Sequence, residues 1–312
     1  MKPALVAGCS DERSDPVHVS GPTMTMLSRR TLLLASPLLF CASHLRADPS
    51  HRIVSIGGAV TEILYRLGRQ DEIVGVDSTS LFPEEALKTK KNVGYVRQLG
   101  AEGVLSLNPT LVIASEGAGP PDSLRLIEQA GVSIVRVTDE PSAAGIAKRV
   151  ETVAKAVDAP DRGAALVAEI EKGFKQLAEA KARVTRPAKA LFVLSLQNGR
   201  PLVGGQGTTA DAMLALAGAT NVASSLTGWK PLSDEGLIAA APDAIVMMNH
   251  GPGGAASDPF AYPAFAATPA AAQRRVIVMD SLYLLGFGPR TPDAARDLMA
   301  SLHADQVVAV KP

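Results

Sequence analysis

Glu102-Gly103-Val104-Leu105-Ser106-Leu107-Asn108-Pro109-Thr110-Leu111-Val112-Ile113 returns, altered but in register, as Glu235-Gly236-Leu237-Ile238-Ala239-Ala240-Ala241-Pro242-Asp243-Ala244-Ile245-Val246. The second copy starts 133 residues after the first (235 − 102) and keeps its Glu-Gly pair, two aliphatics, the proline and an apolar run. Upstream, Thr61–Gly68 is echoed by Asp211–Gly218; downstream, Ala130–Val135 is echoed by Ala272–Ile277. Three echoes in one order predict two lobes built to one plan. Two such lobes leave a cleft between them, and clefts at domain interfaces are where small ligands bind.

The chain has 312 residues, room for two domains of ordinary size, and 46% of them are apolar, enough for two cores. Basic and acidic residues number 31 each, so the formal charge is zero. The basic excess or stripe of a nucleic-acid binder is missing, and no nucleic-acid partner is expected. Residues 1–47 read as an export leader. Ser28-Arg29-Arg30-Thr31 precedes an apolar stretch, Leu32–Phe40, and small residues lead to a cleavage site after Ala47. The stretch is too short to span a bilayer as a helix. Both the general secretory route and a twin-arginine route are open, with Met24 or Met26 as alternative starts. Cys9 and Cys41 both lie in this leader, so the expected mature chain has no disulfide, thiolate metal site or cysteine nucleophile. Such a chain suits the periplasm.

Continuous apolar runs predict strands buried on both faces, as in parallel sheets: 52–56, 73–76, 111–115 and 133–137 in the first lobe, 190–196, 244–248 and 276–279 in the second. Helices fall between them, at 61–67, 122–130 and 209–216. Alternation of the two implies α/β lobes with mostly parallel sheets. Between the lobes, residues 164–184 lack proline, and Val167, Ile170, Phe174, Leu177 and Val184 recur at helical spacing. Pro160-Asp161 opens this helix and Pro187 follows it. At about 1.5 Å per residue it runs roughly 35–40 Å, a stiff backbone between the lobes. A long helix belonging to one lobe is the alternative. The expected division is residues 1–47 leader, 48–158 first lobe, 159–186 linking helix and 187–312 second lobe.

Two α/β lobes joined by one long helix, behind a signal peptide, resemble the helical-backbone class of ABC-importer substrate-binding proteins. That class carries cobalamin, ferric siderophores, haem and some divalent metals. Asn92-Val93-Gly94-Tyr95-Val96-Arg97-Gln98-Leu99-Gly100-Ala101-Glu102-Gly103 and Tyr283-Leu284-Leu285-Gly286-Phe287-Gly288-Pro289-Arg290 resemble its haem-binding branch. The resemblance implies haem as transported ligand, an inner-membrane permease with its ATPase as partners, a monomer, and no enzymatic reaction. It also implies Tyr95 as the axial iron ligand. Ferric iron is a hard acid, phenolate a hard base, and tyrosine is a known axial ligand type. Phenols ionise near about 10, so a neighbouring cation helps, and the family gives that role to the position of Arg97. The residues alone favour Tyr95 as a half-buried loop side chain; the resemblance is what makes it a ligand.

The offset of 133 maps Tyr95-Val96-Arg97 onto Gly228-Trp229-Lys230, a loop expected to face the first across the cleft. Trp229, the only tryptophan, either covers a porphyrin face or packs into the second core. Lys230 can pair with a propionate, and Arg290 is placed in the haem pocket by its motif. Gly57-Gly58 and Gly204-Gly205-Gln206-Gly207 precede the first helix of each lobe, so Gly58 and Gly207 either offer amides to a propionate or make tight turns. The class docks on its permease through one exposed glutamate per lobe, which places Glu62 and Glu235 in that role. Some relatives bind two stacked haems through a second-lobe histidine. Ser195-Leu196-Gln197-Asn198 has none, so one haem is expected; His250 sits beside a glycine-rich loop. Cobalamin or a ferric siderophore is the alternative ligand. An α/β enzyme with an interlobe site is the alternative of another class, although no G-x-S-x-G, H-E-x-x-H or P-loop appears.

Overall fold

The computed structural model describes residues 51–197, 200–249 and 258–304; the expected leader, His250 and the glycine-rich loop after it lie outside them. The first half comprises β1 (Ile53–Ile56), α1 (Gly58–Arg66), β2 (Ile73–Val76), α2 (Glu85–Thr89), β3 (Lys91–Asn92), β4 (Gly94–Tyr95), β5 (Gln98–Leu99), α3 (Ala101–Leu105), β6 (Leu111–Ser115), α4 (Pro121–Gln129), β7 (Ser133–Val137) and α5 (Ala143–Ala156). Then comes α6 (Pro160–Lys181). The second half comprises β8 (Lys189–Gln197), β9 (Arg200–Gly204), α7 (Thr209–Leu216), β10 (Thr220–Asn221), β11 (Trp229–Pro231), α8 (Asp234–Ala240), β12 (Ala244–Asn249), α9 (Pro263–Ala266), α10 (Pro269–Ala272), β13 (Val276–Asp280), α11 (Ser281–Leu285) and α12 (Thr291–Leu302).

All seven strands read from apolar runs form. The first sheet has the order β3-β2-β1-β6-β7 and is parallel throughout. In the second, β8, β12 and β13 are parallel neighbours, and β10 pairs parallel with the start of β8. That sheet then departs from the plan: β9 turns back antiparallel along β8, and β11 adds antiparallel to β9. The repeat therefore holds for β1-α1-β2 against β8-α7-β10 and for α3-β6 against α8-β12. The β9 strand and its edge partner β11 are extra.

Side-chain alternation along β1 splits the core. Val54 and Ile56 face α3 and α4 in one apolar cluster, while Ile53 faces α1 and α5 in another. In the second half Leu191 and Val193 face α8, α9 and α10, while Ala190 and Phe192 face α7 and α12. The α1/α5 and α7/α12 clusters are one continuous core, joined through Leu166, Ile170 and Leu177 of α6. Pro160 stands in the first turn of α6, as its sequence requires, but the helix ends at Lys181 rather than at Val184. β-Branched Val184 and Thr185 before Pro187 disfavour another turn. Its 22 residues span about 33 Å.

Candidate functional site

Ligands of open α/β sheets bind beyond the carboxyl ends of the strands, where strand order reverses. In the first sheet that point lies between β1 and β6. The loop after β2 organises it. Asp77 is fully buried. One carboxylate oxygen accepts from the Gly57 amide (2.7 Å) and the Ser80 hydroxyl (3.0 Å), and the other accepts from the Thr79 amide (2.9 Å) and hydroxyl (2.6 Å). Ser80, Thr61 and Ser55 continue the chain of hydroxyls at 2.7 Å spacing. This network fixes the ends of β1 and β2 relative to each other.

On that base stands a small hairpin. β4 and β5 pair antiparallel, Tyr95 opposite Gln98, with Val96 and Arg97 at the turn. Backbone bonds brace it on both sides: the Ser78 amide donates to the Gly94 carbonyl, the Gly119 amide to the Val96 carbonyl, and the Leu99 amide to the Gly119 carbonyl. Tyr95 is 43% exposed, and its phenol has no hydrogen-bond partner among the described residues. Arg97 is exposed and likewise makes no ion pair there. A rigid backbone thus presents an accessible phenol and a neighbouring cation at the carboxyl edge of the sheet.

From the other half, β8 and β9 continue as a hairpin past the level at which β12 pairs with β8, its turn lying outside the described residues. Lys230, exposed on β11, pairs with Val203, which faces Val193 at that same level. Residues 229–231 are therefore an edge strand rather than a loop. Trp229 takes the core-packing role, one of the two expected of it. Its ring meets buried Phe192 edge-on, with centroids 5.7 Å apart, and lies over Gly204. It packs, half-buried, against the second core.

The glycine loops make tight turns, one of their two expected roles. The Gly58 amide donates to the Thr79 hydroxyl (3.0 Å) and the Gly207 amide to the Asp211 carboxylate (3.2 Å), so neither is free for an anion. A Cβ on Gly58 would stand 2.3 Å from the Thr79 carbonyl oxygen and 2.6 Å from Leu282 of the other half, which is why that position is glycine.

Glu62 and Arg290 are corrected together. Glu62 is only 2% exposed, so it is not a docking residue on the surface. Its carboxylate takes a hydrogen bond from Arg290 Nη2 at 3.1 Å. Arg290 is therefore committed to Glu62 rather than to a ligand. Its guanidinium lies 3.6 Å from the ring centroid of Phe82 and 5.0 Å from that of Tyr283. Burial pushes the Glu62 carboxyl above its ordinary value, with Arg290 opposing the shift. Glu235, by contrast, is exposed in the first turn of α8. Its repeat partner Glu102 is exposed in the first turn of α3.

Asp77, Phe82 and Arg149 escaped the sequence reading. Asp77-Ser78-Thr79-Ser80 directly after a strand carries the composition of an Asx-type turn, and that signal was available. Among the described residues no group of three or more His, Cys, Asp or Glu could hold a metal ion.

Residues 53–283 match the family model described as periplasmic binding protein. The chain belongs to the periplasmic binding protein family. Solved members share its two-lobe α/β fold. The periplasmic heme-binding protein RhuT from Roseiflexus sp. RS-1, in its apo form, is 40% identical, covering 83% of this chain and all of that one, with a TM-score of 0.78. The periplasmic heme-binding protein HutB of Vibrio cholerae is 30% identical over 81% of this chain and 98% of that one, with a TM-score of 0.72. The vitamin B12-binding protein of Vibrio cholerae is 26% identical over 283 residues, 88% of this chain and 98% of its own. As a periplasmic binding protein of the ABC-importer type, the chain has a membrane permease and its ATPase as partners, and its family and neighbours are substrate-binding transport proteins.

Proposed function

We propose that this periplasmic binding protein carries one haem, held by Tyr95 as axial ligand to ferric iron, and delivers it to an inner-membrane ABC importer. The observation that carries the reading is the Tyr95 phenol, accessible and without a hydrogen bond among the described residues, on a hairpin braced from both sides. Phenolate is a hard donor suited to ferric iron. Arg97 beside it supplies positive charge, and exposed Lys230 suits a propionate. Haem is favoured over cobalamin because a heme-binding neighbour reaches 40% identity over 83% of this chain, whereas vitamin B12-binding relatives stand at 26% over 88% and 32% over 42% of it. The chain is read as exported through its first 47 residues, with lobes 48–158 and 187–312 on either side of segment 159–186, acting as a monomer.

The docking pair is revised from Glu62 and Glu235 to Glu102 and Glu235. Both are exposed, both occupy the first turn of matched helices, and both stand at the same place in the repeat. Charges so placed set orientation and encounter rate more than affinity.

The test is an absorbance titration of the mature protein with hemin, alongside cyanocobalamin. A Soret band saturating at one equivalent, with ferric-phenolate features lost in Tyr95→Phe, is expected. Binding of cyanocobalamin without hemin uptake, or an unaltered spectrum in Tyr95→Phe, refutes the reading.

A further inference from the structure

The segment Leu282–Arg290 runs from α11, packed on α7 and α12 of the second half, into α12, and touches the first half along its way. Leu282 covers Gly58, and Gly288 lies against Ala59 and Glu62. The Gly286 and Phe287 carbonyls accept from Arg149 Nη1 at 3.2 and 2.9 Å. Arg149 Nε donates to the Thr138 carbonyl (2.7 Å), and its Nη2 lies 3.4 Å from Asp139. The other Asp139 oxygen accepts from the Gly117 amide, two residues before the Gly119 that braces the Tyr95 hairpin. Arg290 closes the far end of the segment on Glu62 and stacks on Phe82.

Two features set this seam apart from ordinary packing. Phe287 is buried with φ 47, a left-handed conformation that a bulky residue rarely adopts. In the Glu62–Arg290 fork, Nε and Oε1 stand 3.1 Å apart yet both lack a hydrogen bond, so one bond forms where two could. Buried, incompletely bonded ion pairs are poor sources of stability, since apolar residues of like volume often do better. Strained backbone persists where surrounding structure holds it, and it clusters at clamps and switches.

We propose that segment 282–290, held by Glu62 and Arg149, is an interlobe clamp that fixes the separation of the two halves and thereby the rate at which cargo leaves the cleft. Glu62, Arg149 and Arg290 act here as positioning residues for the lobes. The release consequence rests on the carrier function proposed above; the clamp itself does not. The shared core through α6 resists wide opening, so the clamp governs a small displacement.

The test uses the mature chain, which has no cysteine after Cys41. Spin labels on Gln129→Cys and Gln273→Cys, both exposed, report the distance between halves without any ligand. Glu62→Gln, and separately Arg290→Lys, are expected to broaden and lengthen that distribution while circular dichroism shows a folded protein. Hemin transfer to apomyoglobin should accelerate about fivefold or more, the lower range for coupled sites, with the Soret position unchanged. A distance distribution identical to the parent's in both variants overturns the clamp. A widened distribution with an unchanged release rate overturns its link to cargo. A parent that ignores hemin removes the haem reading, and the release arm is then run with cyanocobalamin.

Discussion

Asp77→Ala tests whether one buried carboxylate holds the ligand edge of the first lobe together. The side chain accepts four hydrogen bonds, two of them from backbone amides that have no alternative acceptor in view. Orphaning a buried donor costs about 1–3 kcal/mol. The Gly57 amide is buried and takes the upper part of that range; the Thr79 amide is partly reached by water and takes the lower. Together they give about 3–4 kcal/mol, since the two hydroxyls can turn to other partners. Against a typical domain stability of about 5–15 kcal/mol, the variant still folds, with a clearly lower urea midpoint. Asp77→Asn keeps one acceptor oxygen. If that oxygen serves Gly57, the new NH2 group faces the Thr79 amide and one backbone bond is lost, about 1–2 kcal/mol. Urea unfolding followed by circular dichroism ranks the three proteins. Hydrogen exchange at Ser78, whose amide bonds the Gly94 carbonyl at the foot of the Tyr95 hairpin, should rise in the alanine variant. An alanine variant within about 1 kcal/mol of wild type, or an asparagine variant as damaged as the alanine one, refutes the reasoning.

Two further outcomes are expected. Tyr283 donates to Asp297 at 2.8 Å, and burial with that carboxylate holds its phenol well above the ordinary value, so it is a poor phenolate donor to iron. Tyr283→Phe should leave the hemin spectrum intact, and loss of the ferric-phenolate bands would move the ligand from Tyr95 to Tyr283. Glu62 is raised from 4.5, so between 4.5 and its folded value the native state holds a proton that the unfolded state has released. Stability then falls as pH rises through that window. The stability of wild type relative to Glu62→Gln should accordingly decline on raising the pH from 4.5, and a rising difference would contradict the shift.

Strands buried on both faces announce themselves, which is why 111–115 was legible to the residue, whereas 133–137, at the sheet edge and half-buried, was legible from its β-branched run Ile134-Val135 and Val137 after Gly131. β9 was not. Arg200-Pro201-Leu202-Val203-Gly204 is five residues long with a proline inside, and only the partner β8 makes it a strand. β4 and β5, two residues each, have no period to read. Tyr95 and Arg97 were found through the resemblance, and the hairpin that presents them was not. Trp229 was ambiguous because an aromatic beside glycines fits a cleft or a core equally well. Phe192, 37 residues away in sequence (229 − 192), decides it.

The misreading of Glu62 and that of Arg290 have one cause. A glutamate on a helix is ordinarily solvated, and an arginine beside a glycine-rich motif ordinarily meets an anion. Each rule treats its residue alone. In α1, however, residues 58–64 are all buried, because the sheet covers one side of the helix and segment 282–290 of the other half covers the opposite side. Nothing local distinguishes such a doubly covered helix from a surface one. What does distinguish them is the internal repeat. The upstream echo, whose offset is 150 (211 − 61) rather than 133, pairs helix α1 with α7 and sets Ala212 opposite Glu62, with no glutamate in α7. A role performed once by each lobe requires equivalent positions, so Glu62 was excluded from that role by the same pattern that defined the lobes. A lone buried charge then requires a counter-charge, and in a two-lobed chain the seam is where one from the other half can arrive.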